Sequence, residues 1–181
     1  MKKFFAMMMA LAMLLSFAAC GGTTAEPTTA PTEAAAKVEG TMEELLNKVV
    51  EINPVEFMGG TVPIDLNDTS EDGLWNIKYN TGLDSAEGLT DAAMFGPMMG
   101  SMAFSMVMVR TAEGTDVKAI AEGMKNGIDP RKWICVEADD LQVVSYGDVV
   151  MLIMVDSTSG LTSQSFVDAF AQVCGGSVTT Y

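Results

Sequence analysis

The sequence predicts an α+β fold in which packed helices cover a mainly antiparallel sheet of about four strands. Three segments have apolar residues at helical spacing, and two pairs of apolar, strand-like segments are each joined by a short turn. Their order along the chain is helix, loop, strand, strand, helix, strand, strand, helix. Runs of strands separated by helices are typical of α+β proteins, and residues 41–181 have a suitable length for one such domain.

Residues 1–19 have the features of a lipoprotein signal peptide. Two lysines precede an apolar run over 4–15, which is shorter than the roughly 20 residues that a membrane-spanning helix needs. Small residues then lead directly to Cys20, as in a bacterial lipobox, although Phe17 stands where leucine is usual. This pattern predicts cleavage before Cys20 and attachment of a diacylglycerol to its sulfur. Two or three acyl chains, including palmitate-type chains, anchor a protein stably to a membrane.

Residues 20–40 are rich in Thr, Ala, Pro and Gly and show no apolar periodicity, which indicates a disordered linker after the lipid-attached cysteine. Loss of Lys2 and Lys3 with the signal peptide would lower the net charge from −14 to −16. Such a surface repels phosphates, so nucleic acid is excluded as a partner. The predicted location is extracytoplasmic, with the lipid anchor in the outer face of the cell membrane.

The first element of the domain is an amphipathic helix over 42–52. Thr41 and Glu44 have the spacing of a capping box, and Pro54 follows the last turn. Residues 54–90 contain glycines, Asn, Asp and Ser throughout. They predict a long irregular surface connection, with at most a short strand or helical turn at 74–79.

Residues 91–97 and 101–110 form the first predicted hairpin, around the turn sequence MMGS. The second arm is apolar on both faces, which is typical of a central strand covered on both sides. Alternation places its larger side chains on one face and its smaller ones on the other. The larger set is Met102, Phe104, Met106 and Met108, and the smaller set is Ala103, Ser105, Val107 and Val109.

The remaining segments predict a helix, a hairpin and a final helix. Thr115 is the expected N-cap of the middle helix, and Gly127 is expected just past its end. A brief extended piece is expected at 133–136. The second hairpin pairs 141–146 with 149–156. The last helix carries Phe166, Val167, Phe170 and Val173 on one face and stops at Gly175.

Three blocks of the sequence support a resemblance to a known group of proteins. They are PMMGSMAFSMVMVR, DPRKWICVEADD and YGDVVMLIMVDS, within residues 85–160. The chain resembles a domain-of-unknown-function family of small lipoproteins from Clostridia-type anaerobic bacteria. The resemblance implies a surface-tethered α+β domain and carries no catalytic or binding residues.

The methionine-rich segment 94–110 raises the question of a soft-metal site. Thioethers suit Cu(I), and Met98, Met99 and Met102 are closely spaced. Methionine also fills irregular gaps in a core, and alternation assigns most of this run to the core face. Only Met98 and Met99, in the predicted turn, are weak candidates for metal ligands, and no cofactor is predicted.

Two acidic clusters could hold Ca²⁺. Asp68 and Asp72 lie in DTSEDG, which resembles the first half of an EF-hand loop, but Tyr79 occupies the position of the bidentate glutamate. The second cluster contains Glu137, Asp139 and Asp140, with turn-like spacing. Solvated loop acids are the alternative for both clusters.

Cys135 and Cys174 form an even pair in a predicted extracytoplasmic domain, so a disulfide is one interpretation. The other is two small buried hydrophobic residues that are never oxidised.

The chain contains no histidine, which removes the commonest general base and the Ser-His and Cys-His nucleophile pairs. No spacing nominates another nucleophile and base, so an enzyme is not predicted. The leading hypothesis is a non-catalytic binding or interaction module for an envelope protein or a small ligand. Its contact surface would be the 54–90 segment or the patch Arg131-Lys132-Trp133. The favoured alternative for that patch is that Trp133 packs into the core beneath two outward-pointing cations. A metal-handling lipoprotein using Cu(I) or Ca²⁺ is the alternative.

Overall fold

The structure is a computed structural model that describes residues 37–181, and the predicted signal peptide, Cys20 and most of the predicted linker lie outside this range. The described part of the chain contains four α-helices, six strands and one short 3₁₀ turn at Ser157–Ser159. In chain order they are α1 Met42–Ile52, β1 Gly59–Pro63, α2 Glu71–Thr81, β2 Leu89–Pro97, β3 Phe104–Thr111, α3 Val117–Gly127, β4 Asp140–Tyr146, β5 Val149–Val155, α4 Ser163–Cys174 and β6 Thr179–Thr180.

All six strands form one antiparallel sheet in the order β1-β2-β3-β5-β4-β6. The four predicted strands are its centre, and both predicted hairpins are confirmed. The prediction of about four strands was too low, because β1 and β6 add one strand to each edge. β5 lies between β3 and β4, as its uninterrupted apolar sequence indicates.

Helices cover both faces of the sheet. One core contains apolar residues of α1 and α4 with Phe104, Met106 and Met108 of β3. The other contains residues of α2 and α3 with Val107 and Val109 of the same strand. The predicted alternation of β3 is therefore confirmed, since its two sets of side chains face two separate cores.

The interpretation of 54–90 as a long irregular connection was wrong, because this segment contains β1 and α2. Both elements carry weak sequence signals. β1 begins with two glycines and ends in Pro63, and glycine and proline are depleted in strands. α2 contains Gly73, Asn76 and Asn80, which have low helix propensity, and begins at an N-cap serine, Ser70.

Two local predictions around α3 also need correction. Its N-cap is Asp116 rather than Thr115, because one carboxylate oxygen of Asp116 accepts from the backbone N–H groups of Lys118 and Ala119 at 3.0 and 3.2 Å. Gly127 is the last residue of the helix rather than the first one beyond it. The extended piece expected at 133–136 is not a strand and forms bends within the connection to β4.

The N-terminal edge of the described chain is packed against the domain. Val38 is buried in the core shared by α1 and α4, although the predicted domain boundary lies at residue 41. The helices, strands and both cores given above are built from residues 37–181. No helix among these residues has the length and apolar character needed to cross a membrane.

Candidate functional site: a groove around Lys132

A two-lobed groove opens on the face of the sheet that α2 and α3 cover. Its larger lobe has a volume of about 330 Å³ and its smaller lobe about 170 Å³. Tyr79 and Lys132 line both lobes, and we call the whole depression the Lys132 groove. The other lining residues are Trp75, Lys78, Gly127, Asp129 and Arg131 in the larger lobe and Asn80, Met94, Pro97, Gly100, Phe104, Ser105 and Trp133 in the smaller lobe.

Helix α2 supplies an aromatic wall. Trp75 and Tyr79 are four residues apart, so they lie on the same side of the helix. Their rings are stacked, with centroids 4.8 Å apart and an interplanar angle of 22°. Trp75 is 62% exposed, which is high for the residue type that most often serves as a buried anchor. The wall therefore offers a flat apolar surface to solvent.

The connection between α3 and β4 supplies Lys132 and is held in shape by short-range contacts. The Asp129 carboxylate accepts from the backbone N–H of Arg131 at 2.8 Å, and the backbone N–H of Ala138 donates to the Pro130 carbonyl at 2.9 Å. The Arg131 side chain donates to the carboxylate of Glu137 at 2.7 Å. These contacts fold residues 129–138 into a compact loop whose Lys132 side chain faces the groove.

The Lys132 ammonium is positioned by four contacts. Nζ donates to the backbone carbonyl of Tyr79 at 3.2 Å and to Oγ of Ser105 at 3.1 Å. It also lies 4.7 Å from the ring centroid of Tyr79 and 5.4 Å from that of Trp133, within the range of cation–π attraction. Ser105 belongs to β3, so Lys132 connects the loop, helix α2 and the centre of the sheet.

Burial is the main influence on the charge of Lys132. Desolvation lowers the pKa of its amine to about 8, and the negative charge of Asp129 acts in the opposite direction. Among residues 37–181 no carboxylate oxygen lies within 4.0 Å of Nζ, whereas the neighbouring Lys78 and Arg131 are paired with Asp84 and Glu137. Lys132 is therefore a partly dehydrated cation without a direct counter-ion in the described chain. Such a group is suited to binding an anion.

The structure brings together the two surfaces that the sequence proposed separately. The 54–90 segment contributes Trp75 and Tyr79, and the patch Arg131-Lys132-Trp133 contributes the opposite side of the same groove. Trp133 packs against the core beneath α2 and α3, in agreement with the inward-packing interpretation. The position of Lys132 was predicted by neither the contact-patch nor the inward-packing interpretation. Its amine points into the groove, against Tyr79 and Ser105.

Three residues of the groove were missed by sequence reasoning. Trp75 and Tyr79 were missed because α2 was taken for a connection; the i, i+4 spacing of two aromatics could have identified them. Asn80 is 4% exposed and donates through Nδ2 to the backbone carbonyl and to the side-chain oxygen of Asn76, both at 2.9 Å. Its own Oδ1 accepts from no donor within the described chain and is available to the smaller lobe.

The acidic clusters have structural roles. The segment of Asp68 and Asp72 is the start of α2: Asp68 accepts from the backbone N–H of Ser70 at 2.9 Å, and Asp72 lies in the first helical turn. In the second cluster, Asp139 accepts from Ser157, and Asp140 accepts from Ser163 at both oxygens. The hydrogen bonds from Ser70 and Ser157 lower the pKa of Asp68 and Asp139, respectively. Within residues 37–181 no three His, Cys, Asp or Glu side chains converge as metal ligands.

The two cysteines are free, and the disulfide interpretation does not fit their positions. Cys174 is half-buried against the core of α1 and α4, and Cys135 is exposed on the loop that packs against the opposite face. The sheet separates the two thiols, so they are too far apart for a bond of about 2 Å between sulfurs. The interpretation as two buried hydrophobic residues is also wrong for Cys135.

Met98 and Met99 are each 72% exposed, as expected for residues in the turn between β2 and β3. Met102 is partly buried and packs against the core of α1 and α4, which agrees with its assignment to the larger-residue face of β3. Its side chain is therefore committed to packing.

These features define an α+β domain with an aromatic-walled groove, in which Lys132 is the cation without a carboxylate within 4.0 Å among the described residues, on one face of a doubly covered antiparallel sheet. Comparison of the chain with protein-family models, curated proteins and solved structures finds no match. The resemblance to small lipoproteins of anaerobic bacteria therefore stays a prediction.

Proposed function

We propose that the protein is a lipid-tethered, extracytoplasmic and non-catalytic binding domain whose Lys132 groove takes a small organic anion with a flat apolar part. The observation that carries this proposal is the Lys132 ammonium. It is partly buried, it is fixed by four contacts, and it lacks a direct carboxylate partner within residues 37–181. A bound anion would supply that partner. The reduced dielectric of the groove would strengthen the attraction between the anion and the ammonium.

The remainder of the groove suits the apolar part of such a ligand. The exposed Trp75 ring, stacked on Tyr79, provides a flat apolar surface in the same lobe as the cation. Lys78 and Arg131 line the same lobe but are each paired with a carboxylate, and Asp129 also lines it, so Lys132 is the cation that an anion would meet without a direct competitor. The larger lobe is at the lower end of the size range of small-molecule sites. It fits a molecule of one or two rings better than a peptide chain.

The negative net charge of the chain should make anion binding in the groove more selective. The chain has a formal charge of −14, and a surface of that sign repels anions in general. An anion would bind only where local cations and ring contacts outweigh this repulsion. We therefore expect the groove to discriminate by shape as well as by charge.

The Ser105–Lys132 pair invites comparison with serine–lysine nucleophiles. A lysine can accept the proton of a serine only when its amine is neutral. With a pKa of about 8, the amine is roughly nine-tenths protonated at pH 7. Ser105 is also only 1% exposed. Lys132 is therefore better suited to act as a fixed cation than as the base that would activate Ser105.

The proposal can be tested with three probes that share one ring system and differ in charge. 1-Naphthoate, 1-naphthamide and 1-naphthylmethylamine would be titrated into residues 21–181, with ¹H–¹⁵N NMR spectra recorded at pH 7. We expect 1-naphthoate to shift the backbone signals around Tyr79, Lys132 and Trp133, and the amide and amine to bind at least tenfold more weakly.

Variants separate the charge from the aromatic wall. Lys132→Met keeps the apolar stem and is expected to abolish the preference for naphthoate over naphthamide. Trp75→Ala is expected to weaken all three probes. The matched control is Lys118→Met, which removes a cation from the exposed face of α3, where Lys118 pairs with Glu122. Equal binding of acid and amide to the unaltered chain, or a loss as large in Lys118→Met as in Lys132→Met, would overturn the proposal.

A further inference from the structure

Three exposed methionines lie together at one corner of the sheet. Met58 is 80% exposed, and Met98 and Met99 are each 72% exposed. Elsewhere the described chain uses methionine as an interior residue. The fully buried set is Met42, Met106, Met108, Met124, Met151 and Met154. Packing in a core therefore explains the buried methionines but not these three exposed ones.

Strand pairing fixes the relative positions of Met58 and Met98. The register of β1 and β2 pairs Gly59 with Pro97, and the backbone N–H of Met98 donates to the carbonyl of Met58 at 2.9 Å. Met58 thus lies opposite Met98, one position beyond the last paired residues of β1 and β2. Residues opposite each other in an antiparallel pair carry their side chains on the same face, with Cβ atoms about 5 Å apart. Sequence spacing alone could not show this, since 40 positions separate the two residues.

Met99 follows Met98 in the turn toward β3, with its Cα about 3.8 Å away along the chain. Gly100 comes next and has open space around it, so the turn can adjust without a steric penalty. A methionine side chain has three rotatable bonds and a terminal thioether. Three such side chains from adjacent backbone positions can converge on one point just outside the sheet.

We propose that Met58, Met98 and Met99 form a three-thioether site for a soft monovalent cation, of which Cu(I) is the biological example. Thioether sulfur is a soft, neutral ligand that suits Cu(I) and not the hard cations Mg²⁺ and Ca²⁺. The negative charge of the chain attracts cations to its surface. The three methionines are not among the lining residues of the Lys132 groove, although the neighbouring Pro97 and Gly100 are, and the proposed thioether site does not rest on the proposed function.

Ag(I) is a suitable first probe because it has the same charge and softness as Cu(I) but is not readily oxidised. The protein would be residues 21–181 carrying Cys135→Ser and Cys174→Ala, since free thiols bind silver more tightly than thioethers do. Methionine methyl groups labelled with ¹³C report each side chain separately. Unchanged backbone spectra would establish that the two cysteine substitutions preserve the fold.

We expect the methyl signals of Met58, Met98 and Met99 to shift together and to saturate at one Ag(I) per chain, while those of Met106 and Met151 stay in place. Met58→Leu, Met98→Leu and Met99→Leu should each weaken binding at least tenfold. Met102→Leu is the matched control, because Met102 is close in sequence but packed on the core. Competition with bicinchoninate under anaerobic conditions would extend the measurement to Cu(I).

Three results would contradict the site. They are methyl shifts that grow without saturating, undiminished affinity in Met58→Leu, and an equal loss in Met102→Leu. Lys132→Met provides a final comparison. It should leave silver binding unchanged, so that failure of the anion groove and failure of the thioether site are recognised separately.

Discussion

Arg110 and Asp148 form an ion pair that joins the end of β3 to the turn between β4 and β5. Their side chains are only 13% and 18% exposed, and each makes a second contact with the start of the domain. Arg110 donates to the Gly40 carbonyl at 2.6 Å, and the other carboxylate oxygen of Asp148 accepts from the backbone N–H of Val38 at 3.1 Å. The pair therefore fastens the first described residues to the centre of the sheet.

We expect Asp148→Asn to lower the free energy of unfolding by about 1–3 kcal/mol, because it leaves a partly buried guanidinium without its counter-ion. Urea unfolding of residues 21–181 would measure the loss. Lys78→Gln is the matched control, since the Lys78–Asp84 pair is largely exposed and such pairs contribute little. Similar losses in both variants would show that burial does not distinguish the two pairs.

The depressed pKa of Lys132 predicts a pH-dependent stability. The amine has an ordinary pKa of 10.5 in the unfolded chain and about 8 in the folded one. Between these values the unfolded state binds more protons, so raising the pH through this window stabilises the folded state. We expect the unfolding free energy of the unaltered chain, relative to Lys132→Met, to rise by up to about 3 kcal/mol from pH 7.5 to pH 10.5.

Subtracting the Lys132→Met values removes the contributions of other titrating groups. Cys174 is one of these, because burial and then the charge of Asp148 raise the pKa of its thiol to about 12. If the difference in unfolding free energy between the unaltered chain and Lys132→Met stays constant across this pH range, the buried position of the Lys132 amine is contradicted.

The two cysteines should differ sharply in reactivity. Cys135 is exposed, whereas the Cys174 thiol is half-buried and has a pKa of about 12, so very little thiolate is present at pH 8. We expect iodoacetamide to add one group to native residues 21–181 within minutes and a second only after unfolding in guanidinium. Intact mass spectrometry counts both. A protein that reacts only after reduction would instead contain the disulfide.

Ser70 tests the role of the DTSEDG segment. Its hydroxyl accepts from the backbone N–H of Gly73 at 3.1 Å and caps α2. Ser70→Ala should therefore lower the free energy of unfolding by about 1 kcal/mol. Millimolar Ca²⁺ should leave the melting temperature of the unaltered chain unchanged, because Asp68 and Asp72 serve the helix N-terminus. A clear stabilisation by Ca²⁺ would restore the calcium interpretation.

The proposed lipid anchor can be tested with Cys20→Ala expressed in a bacterium that processes lipoproteins. We expect the unaltered chain to be found in the membrane fraction with the mass of an acylated protein, and the variant to lose the acyl mass and leave that fraction. A variant that stays in the membrane with no change in mass would rule out attachment through Cys20.

Strong periodic patterns made most of the fold predictable. β5 is apolar without interruption, β3 alternates large and small side chains over most of its length, and α1 has a capping box at Thr41 and Glu44, so these elements follow from local sequence. β1 was not predictable, because it gains its stability from pairing with β2 rather than from its own glycine-rich residues. α2 was not predictable either, because Gly73, Asn76 and Asn80 have low helix propensity and interrupt its apolar spacing.

The groove was only half predictable. Arg131, Lys132 and Trp133 attract attention as a mixed cationic and aromatic patch, but nothing in their spacing shows that Lys132 points inward. That orientation depends on the Tyr79 carbonyl and ring, which lie 53 positions earlier in the chain. Likewise, Met58 joins Met98 only through the register of two strands. Such long-range pairings are properties of the tertiary structure.

The two edge strands of the sheet affect whether copies of the protein would aggregate at high local concentration. Open strand edges are templates for sheet-to-sheet fusion and aggregation. At one edge, the Ile64 N–H points inward to the Ala92 carbonyl, so the neighbouring Pro63 removes a donor from the outer side of β1. At the other edge, β6 offers only the two residues Thr179 and Thr180. Copies concentrated on a membrane surface would therefore find little to pair with on either side, and should stay separate at densities where a longer, flatter edge would aggregate.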